Sequence, residues 1–369
     1  MVDITNTNEH LYEMVANDLK DKIINGHFGE DGKIPNYLEL TKMYDVSMST
    51  IKKSMKILND ENVLVSRIGK GTFANKKYLK NGYSSPHATT NKLGLLVRDL
   101  EGPYFSGIYQ GLADETDKHE RNLMITVSRD FYQQEDSLLK MMVSHQVDGI
   151  VLTTRRKSIY GIRIFEQFKE NSIPAVLIHD VYDSMLPVVD VDNYKGGELA
   201  ARQLLASSEK KLAVIVGEHG YRPDDLRLEG FIDQLKRDGI NPNERCHIFR
   251  FSFGTEATAF DEGYKLGCAF DLKNLEVDGI FLFNDLIAMG FQKAMHERGI
   301  RIPEDLRMIG FDNIDRCSEA RVPLTTIGVP RYEIGKRAHE LLNKLISHQE
   351  EYLPTKLLLE PELIIRESA

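Results

Sequence analysis

The residues best suited to a chemical task form a short basic segment inside an otherwise acidic chain. Residues 52–80 carry eight lysine or arginine side chains against two acidic ones, although the whole chain has a net charge of −9. Short hydroxyl side chains precede this segment at Ser47, Ser49 and Thr50. Ammonium groups neutralise phosphates, and short polar side chains on a helix reach base edges in the major groove. The pattern predicts a surface that binds DNA.

Two predicted helices within residues 35–58 would position these side chains. Asn36 is suited to cap the first helix together with Glu39, three residues later, and Ser47 is suited to cap the second. In the second helix the apolar residues recur at spacings of four and three, which predicts one buried face made of Ile51, Met55 and Leu58. The opposite face carries Ser49, Thr50, Lys52, Lys53 and Lys56. An ordinary helical hairpin with a solvated lysine face explains these residues equally well if they are considered alone.

The flanking segments favour DNA binding. An apolar stripe at spacing four predicts a first helix that ends near Gly26, and two short apolar runs around Gly69 and Gly71 predict a hairpin flanked by Arg67 and Lys70. Glycine allows a backbone to approach a phosphate closely. Three helices followed by a basic hairpin predict a winged helix-turn-helix domain over residues 1–75. The stripe consists of Leu11, Val15, Leu19 and Ile23.

This segment resembles the DNA-binding domain of GntR-type transcriptional regulators over roughly residues 10–75. The matching residues are Gly26, Lys33-Ile34-Pro35, Val46-Ser47, Thr50-Ile51-Lys52 and Gly69-Lys70-Gly71-Thr72-Phe73. The chain departs from the family at Leu38 and Met48, where arginines that contact DNA are usual. We expect the DNA contacts to come from Ser47, Ser49, Thr50, Lys52, Lys53, Arg67, Lys70 and Gly71.

A polar linker is predicted at residues 76–91, and strands then alternate with helices as in a doubly wound parallel α/β domain. The four residues Val147–Ile150 recur as Val277–Ile280, which indicates two similar lobes with a ligand cleft between them, although chance repetition also explains so short a repeat. The predicted strands are 93–97, 123–127, 149–152, 175–179, 212–216, 248–251, 279–283 and 308–311. The predicted helices are 105–121, 133–145, 194–207, 225–238, 255–270 and 286–298.

Residues 92–369 resemble the effector-binding and dimerisation domain of LacI/GalR-type regulators, which is similar to periplasmic sugar-binding proteins. The shared motifs are Val147–Ile150, Asp192-Asn193 with Gly196-Gly197, Arg227 with Gly230-Phe231, Asn284-Asp285 with Ala288 and Gly290, Ile309–Asp312, and Leu324-Thr325-Thr326. The expected fold class is thus α/β, with an N-terminal winged helix-turn-helix joined to a two-lobed, periplasmic-binding-protein-like domain.

The resemblance implies that Arg227, Asn284 and Asp312 contact ligand hydroxyls, and that Tyr104 and Phe105 flank the ligand. For Arg227 alone a surface ion pair is the competing explanation, and for the two aromatic residues it is packing at a helix start. Further candidates follow other predicted strands. These are Arg129, Asp130 and His179.

Several classes of protein are disfavoured. The three cysteines are scattered, which argues against a disulfide framework and a cysteine zinc site. The histidines show no metalloprotease spacing, and no nucleophile elbow or phosphate loop occurs, so we expect no catalytic residue, cofactor or metal. A hydrolase or isomerase acting on the bound sugar is the remaining enzymatic alternative. The N-terminus does not resemble a signal peptide and no long apolar run exists, which predicts a cytoplasmic protein.

These observations predict a homodimeric repressor that binds a palindromic double-stranded operator and is released by a small sugar. One alternative is a regulator that needs a purine-like co-repressor. Another is a cytoplasmic sugar-binding protein without DNA function. Salt-dependent operator binding would distinguish this last class from a repressor.

Overall fold

The computed structural model of the protein divides into two compact units, Met1–Thr90 and Asn91–Ala369. The structure describes only part of the chain, with gaps inside both units. The described residues are 11–24, 28, 33–60, 63–67, 71–75, 90–98, 100, 102–129, 132–154, 173–182, 184, 186–217, 219–251, 256–347 and 355–369.

The described residues of the first unit form three helices and a two-stranded antiparallel hairpin, which confirms the winged helix-turn-helix. Ile34 extends the hairpin, since its amide donates to the Thr72 carbonyl at 2.9 Å. The predicted linker lies almost entirely outside the described residues. The elements are α1 (Leu11–Ile24), α2 (Tyr37–Tyr44), α3 (Met48–Asp60), β1 (Leu64–Arg67) and β2 (Gly71–Ala74).

The predicted caps and the predicted buried face both form. Asn36 and Glu39 make a reciprocal capping box on α2, and the Ser47 hydroxyl accepts from the Thr50 amide at 3.2 Å. The three apolar residues that were predicted to face inward from α3 are buried. The stripe that predicted the first helix lies within α1, where Val15, Leu19 and Ile23 are buried and Leu11, the first residue of the helix, is 36% exposed.

The first lobe of the second unit is a six-stranded sheet in the order β13-β7-β6-β5-β3-β4, with all neighbouring strands parallel. Its helices include α4, α5 and α12, and α4 packs along α12. The elements are β3 (Lys92–Val97), α4 (Pro103–Lys118), β4 (Asn122–Val127), α5 (Tyr132–Ser144), β5 (Gly149–Thr153), β6 (Ala175–Ile178), β7 (Val188–Val191), α12 (Arg331–Ile346) and β13 (Lys356–Leu359).

The second lobe has a matching sheet in the order β14-β12-β11-β10-β8-β9, in which only the outermost pair, β12 with β14, is antiparallel. The elements are α6 (Asn193–Ser207), β8 (Lys211–Val216), α7 (Arg222–Arg237), α8 (Pro242–Arg245), β9 (Cys246–Arg250), α9 (Glu256–Ala269), α10 (Leu272–Leu275), β10 (Val277–Leu282), α11 (Asp285–Glu297), β11 (Arg307–Asp312), a short 3₁₀ turn (Asp315–Cys317), β12 (Thr325–Gly328) and β14 (Glu362–Ile364).

The chain passes between the lobes three times, after β7, after β12 and after β13. As a result α6 packs in the second lobe and α12 in the first. These crossings were not foreseen, and of the elements that adjoin them only α6 was predicted, as the helix 194–207. The alternation of strands and helices was foreseen, and the two-lobed α/β fold class is confirmed.

The repeated four residues occupy equivalent places, since they open β5 and β10, which hold the same position in the two sheets. In each repeat the glycine lets a helix lie close to the sheet. A β-carbon on Gly149 would lie 2.8 Å from Leu342 of α12, and one on Gly279 would lie 2.5 Å from Ser208 at the end of α6. Among the described helices, none combines the length and apolar character that a membrane crossing requires.

Candidate functional site

The exposed face of α3 presents the short polar side chains predicted to meet DNA. Ser47, which caps α3, lies with its hydroxyl 2.7 Å from that of Ser49 and 2.9 Å from that of Thr50. Lys52 and Lys53 are exposed one turn later, and the Lys53 ammonium lies 5.2 Å from the centre of the Tyr12 ring. The helix therefore presents hydroxyls at its positive end and cations behind them, as anionic phosphates require.

The predicted wing is described only in part. Gly71 has a φ of 109°, a conformation that L side chains rarely adopt, which explains why glycine begins β2. The side chain of Arg67 and all of Lys70 lie outside the described residues. Leu38, where the family usually has arginine, is 65% exposed, so an apolar side chain stands on the surface where a cation would contact DNA.

A cleft of about 470 Å³, open to solvent, is formed where the two lobes of the second unit meet. Charged and amide groups of the second lobe face the rings of Tyr104, Phe105 and His179 of the first. The first lobe also contributes Arg98, and the second also contributes the rings of Tyr221 and Phe283. The lining residues are Arg98, Tyr104, Phe105, His179, Tyr221, Pro223, Asp224, Arg227, Phe283, Asn284 and Asp312.

Arg227 is held from several sides in the second lobe. Its Nε donates to the Asn193 side-chain oxygen at 2.9 Å, and a second nitrogen donates to the Phe283 carbonyl. The guanidinium lies 3.6 Å from the centre of the Phe311 ring and 4.0 Å from an oxygen of Asp312. Such fixed donors recognise hydroxyl oxygens with little loss of side-chain entropy.

The predicted position of Arg227 within its helix was wrong. We expected the first turn of a helix beginning at residue 225, but α7 begins at Arg222 and so places Arg227 in its second turn. The earlier start is explained by Pro223, because proline is favoured in the first turn of a helix, where its missing N–H is not needed.

Asn284 and Asp312 are positioned by strand ends. Asn284 caps α11, and its side-chain oxygen accepts from the Ile287 amide at 2.8 Å, which leaves the amide nitrogen as its donor for a ligand. Asp312 is the last residue of β11 and has a φ of 116°. A non-glycine residue with this φ is strained, and such strain concentrates where a side chain must be aimed at a ligand.

The first lobe contributes three rings. Tyr104 stacks on His179, with centres 5.5 Å apart, and Phe105 meets the edges of both. The Tyr104 hydroxyl is buried and has no hydrogen-bond partner among the described residues. Burial raises the pKa of Tyr104 well above its usual value, so the group is a neutral phenol that is able to donate to a ligand.

A chain of hydrogen bonds runs beneath the cleft from one lobe to the other. His179 Nδ1 lies 2.9 Å from one oxygen of Asp190, and the other oxygen accepts from the Asn193 amide at 3.2 Å. Asn193 in turn accepts from Arg227. Burial alone would raise the pKa of Asp190, but the His179 ring and two backbone amides lower it overall, so it is a carboxylate.

Two further contacts connect the lobes within the second unit. Arg331, at the second crossing, donates to the Pro103 carbonyl of the first lobe at 2.6 Å and to the Asn313 carbonyl of the second at 3.1 Å. The Tyr182 hydroxyl donates to Asp225 at 2.7 Å. A change in the angle between the lobes would have to rearrange these bonds.

The structure brings six of the eight predicted ligand residues into this cleft. Arg129 is exposed and is not among the cleft-lining residues, and Asp130 lies outside the described residues. Arg129 lies just after β4, which is an edge strand of its sheet and is remote from the crossings between the lobes. Five lining residues were missed, although Tyr221, Pro223 and Asp224 stand at the start of a helix that follows a strand, which was an available signal. The others are Arg98 and Phe283.

Family models of known proteins match most of each unit. Residues 11–74 match the bacterial regulatory proteins of the gntR family, and residues 201–369 match the periplasmic binding protein-like domain. The two matches meet the two domain types expected from the sequence motifs, and they lie in the same order.

Similar proteins of established name are transcriptional repressors. The arabinose metabolism transcriptional repressor of Halalkalibacterium halodurans is 27% identical over 98% of this chain and 96% of its own length. The ribose operon repressor of the same organism is 28% identical over 74% of this chain and 80% of its own. A LacI family regulator from Enterococcus faecium, solved with bound ribose, is 26% identical, covers 75% of this chain and 98% of its own, and has a TM-score of 0.66.

Proposed function

We propose that this chain, a ligand-responsive transcriptional repressor with a GntR-type DNA-binding domain and a LacI-type periplasmic-binding-protein-like domain, is released from its operator by a small sugar. The observation that carries the proposal is the cluster of three rings on the first lobe that faces Arg227, Asn284 and Asp312 across the interlobe cleft. A sugar has an apolar ring face and hydroxyls that both donate and accept, so it matches both sides.

The sugar class is a pentose, and arabinose is the first candidate. Two relatives are named for arabinose and ribose, and a structural relative was solved with ribose. In this proposal Arg227, Asn284 and Asp312 contact hydroxyls, and Tyr104 donates its free hydroxyl. A ligand that contacts both lobes favours one lobe arrangement, and a coupling of about 1–3 kcal/mol suffices to release DNA.

We infer that the protein acts as a homodimer on a palindromic operator. The exposed face of α3 would enter the major groove, and the wing would approach the adjacent backbone. Sedimentation of the full chain measures the oligomeric state, and a monomer at micromolar concentration that still binds a palindrome cooperatively would favour dimerisation on DNA. No catalytic residue is proposed, because the named relatives are transcriptional regulators.

The effector site is tested by titrating candidate ligands into the protein–operator complex. Pentoses, hexoses and purine bases form the panel, so that a purine-like co-repressor would appear as tighter operator binding. Arg227→Ala should retain operator binding and need about 10–100 times more sugar for release, because hydrogen bonds to charged groups contribute about 1.5–3 kcal/mol. Lys236→Ala, an exposed change on the same helix, is the matched control. If Arg227→Ala responds like the parent protein, the proposed site is wrong.

DNA binding through α3 is tested by the salt dependence of operator affinity. Lys52→Ala should reduce the slope of log affinity against log salt by about 0.9, the contribution of one phosphate contact. Lys52 is a cleaner probe than Lys53, whose ammonium also contacts the Tyr12 ring. Lys273→Ala makes the same charge change on an exposed site of the second unit and should leave the slope unchanged. The absence of any operator binding would favour a sugar-binding protein without DNA function.

A further inference from the structure

Two parallel helices of the first lobe, α4 and α12, cross at glycines that hold their backbones in contact. A β-carbon on Gly111 would lie 2.0 Å from the Tyr332 carbonyl oxygen, and one on Gly335 would lie 1.9 Å from that of Ile108. No side chain fits at either position. Residues four apart lie on the same face of a helix. One turn after the glycines, the next residue of α4 therefore faces the next residue of α12.

The pair one turn beyond the glycines is Glu115 of α4 and His339 of α12. Both are buried, with exposed fractions of 6% and 0%. His119, four residues after Glu115, adds a second imidazole whose ring centre lies 4.8 Å from that of His339. One carboxylate oxygen and two ring nitrogens from these three residues all lie within 4.8 Å of one another.

His339 supplies an independent indication of a ligand. Both of its ring nitrogens are fully buried, and neither has a hydrogen-bond partner among the described residues. Native proteins satisfy nearly all such groups, because a buried polar atom without a partner is strongly disfavoured. One of these two His339 nitrogens is among the three clustered ligand atoms. The nitrogen that needs a partner therefore faces Glu115 and His119.

His119 is already oriented for the same task. Its Nδ1 lies 2.8 Å from the Glu115 backbone carbonyl. The tautomer that donates from Nδ1 to this carbonyl leaves the lone pair on Nε2. A histidine that binds a metal through one nitrogen commonly donates from the other to a carbonyl in this way.

We propose that Glu115, His119 and His339 bind a divalent transition-metal ion, with Zn²⁺ as the best match and water as a fourth ligand. Two imidazoles and one carboxylate form a donor set that zinc accepts, whereas Ca²⁺ and Mg²⁺ prefer six or more oxygens. Zinc bonds of about 2.0–2.2 Å require ligand atoms closer together than 4.8 Å. A small shift of the exposed His119 side chain brings its ligand nitrogen closer to the other two ligand atoms and shortens these distances.

One local interaction competes with the ion. Lys118 donates to Glu115 at 2.7 Å, and its side chain is 61% exposed. Only the lysine end of this ion pair is exposed, so a metal ion that binds the buried carboxylate would replace the ammonium as its cationic partner and release the lysine into solvent. The site is separate from the effector cleft, since none of its three ligands lines that cleft.

The matching helix pair of the second lobe shows that helix packing alone does not demand these residues. There α7 crosses α6 at Gly230 and Gly197, and the positions one turn beyond are Gln234 and Ala201. Gln234 is satisfied by Arg202 at 3.0 Å and by Asp238 at 2.9 Å. The same packing is thus compatible with a neutral amide and a methyl group. The candidate metal ligands Glu115, His119 and His339 therefore distinguish the first lobe from the second.

The test is metal binding by the full-length, untagged protein after chelator treatment and dialysis. Zn²⁺ is titrated against a chromophoric chelator, and Co²⁺ absorption reports the coordination geometry. We expect one ion per chain. His119→Ala and His339→Leu should each weaken binding at least about a hundredfold, since loss of a group that only orients a metal ligand already costs about 10–100-fold. His296→Ala, an exposed histidine on α11, should leave binding unchanged.

Thermal unfolding supplies a second readout. Zn²⁺ should raise the melting temperature of the parent protein and of His296→Ala, but not that of His119→Ala, and Mg²⁺ should raise none of them. His119 is exposed, so its variant remains decisive if His339→Leu fails to fold. Failure of the parent to bind Zn²⁺, or equal binding by His119→Ala, would overturn the proposal and assign the His339 nitrogens to buried water.

Discussion

In the first lobe α4 crosses α12 at Gly111, and in the second lobe α7 crosses α6 at Gly230. Tyr104 and Phe105 precede Gly111 in α4 by the same numbers of residues by which Pro223 and Asp224 precede Gly230 in α7. Both pairs line the cleft. The two lobes therefore expose the same helix starts to the ligand but place rings on one side and an ion on the other. Equivalent backbones determine where the contacts lie, and side-chain chemistry determines what they recognise.

The largest expected effect concerns the shared helix crossings. Gly111→Ala and Gly230→Ala each place a β-carbon within 2.0 Å of a backbone oxygen, which the helices relieve only by separating. We expect each to lower the free energy of unfolding by about 3 kcal/mol or more. Gly239→Ala meets no atom within 4 Å but has a φ of 75°, so about 1 kcal/mol is expected. Denaturant titration measures all three, and tolerance of only one crossing variant would show that the lobes do not share this packing.

The next effect is confined to the second lobe, where Asp285 is fully buried. Burial raises the pKa of Asp285 to about 6 from 3.8, even though the Thr326 hydroxyl and the Ile314 amide donate to it at 2.6 and 3.0 Å. Because the folded-state pKa is the higher one, the contribution of Asp285 to stability is present below about pH 4 and is lost as pH rises through 6. The loss amounts to about 2–3 kcal/mol.

Asp285→Asn should remove that pH dependence. The decrease in unfolding free energy between pH 4 and 6.5 should be smaller in the variant than in the parent protein. Asp261→Asn, on an exposed face of α9, provides a control for loss of a carboxylate. Identical pH profiles for the parent and Asp285→Asn would contradict the raised pKa.

The smallest effect separates the contributions of the two lobes to the ligand. Tyr104→Phe removes a buried hydroxyl that has no partner among the described residues, so the stability of the free protein should not fall. Sugar affinity should decrease about 5–10-fold, the equivalent of one neutral hydrogen bond of about 1 kcal/mol. Asp312→Asn, on the facing lobe, should cost more because its bonds involve a charge. Calorimetric titration compares the variants, with Tyr109→Phe on the same helix as the control.

Local patterns in the sequence determined the elements and the general position of the cleft. The caps at Asn36 and Ser47, and the buried face of α3, depend on residues three or four apart, so they can be predicted without knowledge of the tertiary structure. The repeated residues at 147–150 and 277–280 indicated two lobes. The family resemblance implied Asn284 and Asp312, and both follow predicted strands, whose carboxyl ends are where ligand residues gather. The family motifs added Arg227, which no periodicity distinguishes from a surface arginine.

Tertiary structure alone decided which distant residues meet. Asp190, Asn193 and Arg227 form one network because the chain crosses between lobes after β7, and no local pattern predicts a crossing. Glu115 and His339 are separated by more than two hundred residues, and the sequence indicated no metal site at all. They face each other because α4 and α12 cross at glycines in a particular register. Capping and periodicity act over a few residues, whereas this register depends on packing between helices that are remote in the chain.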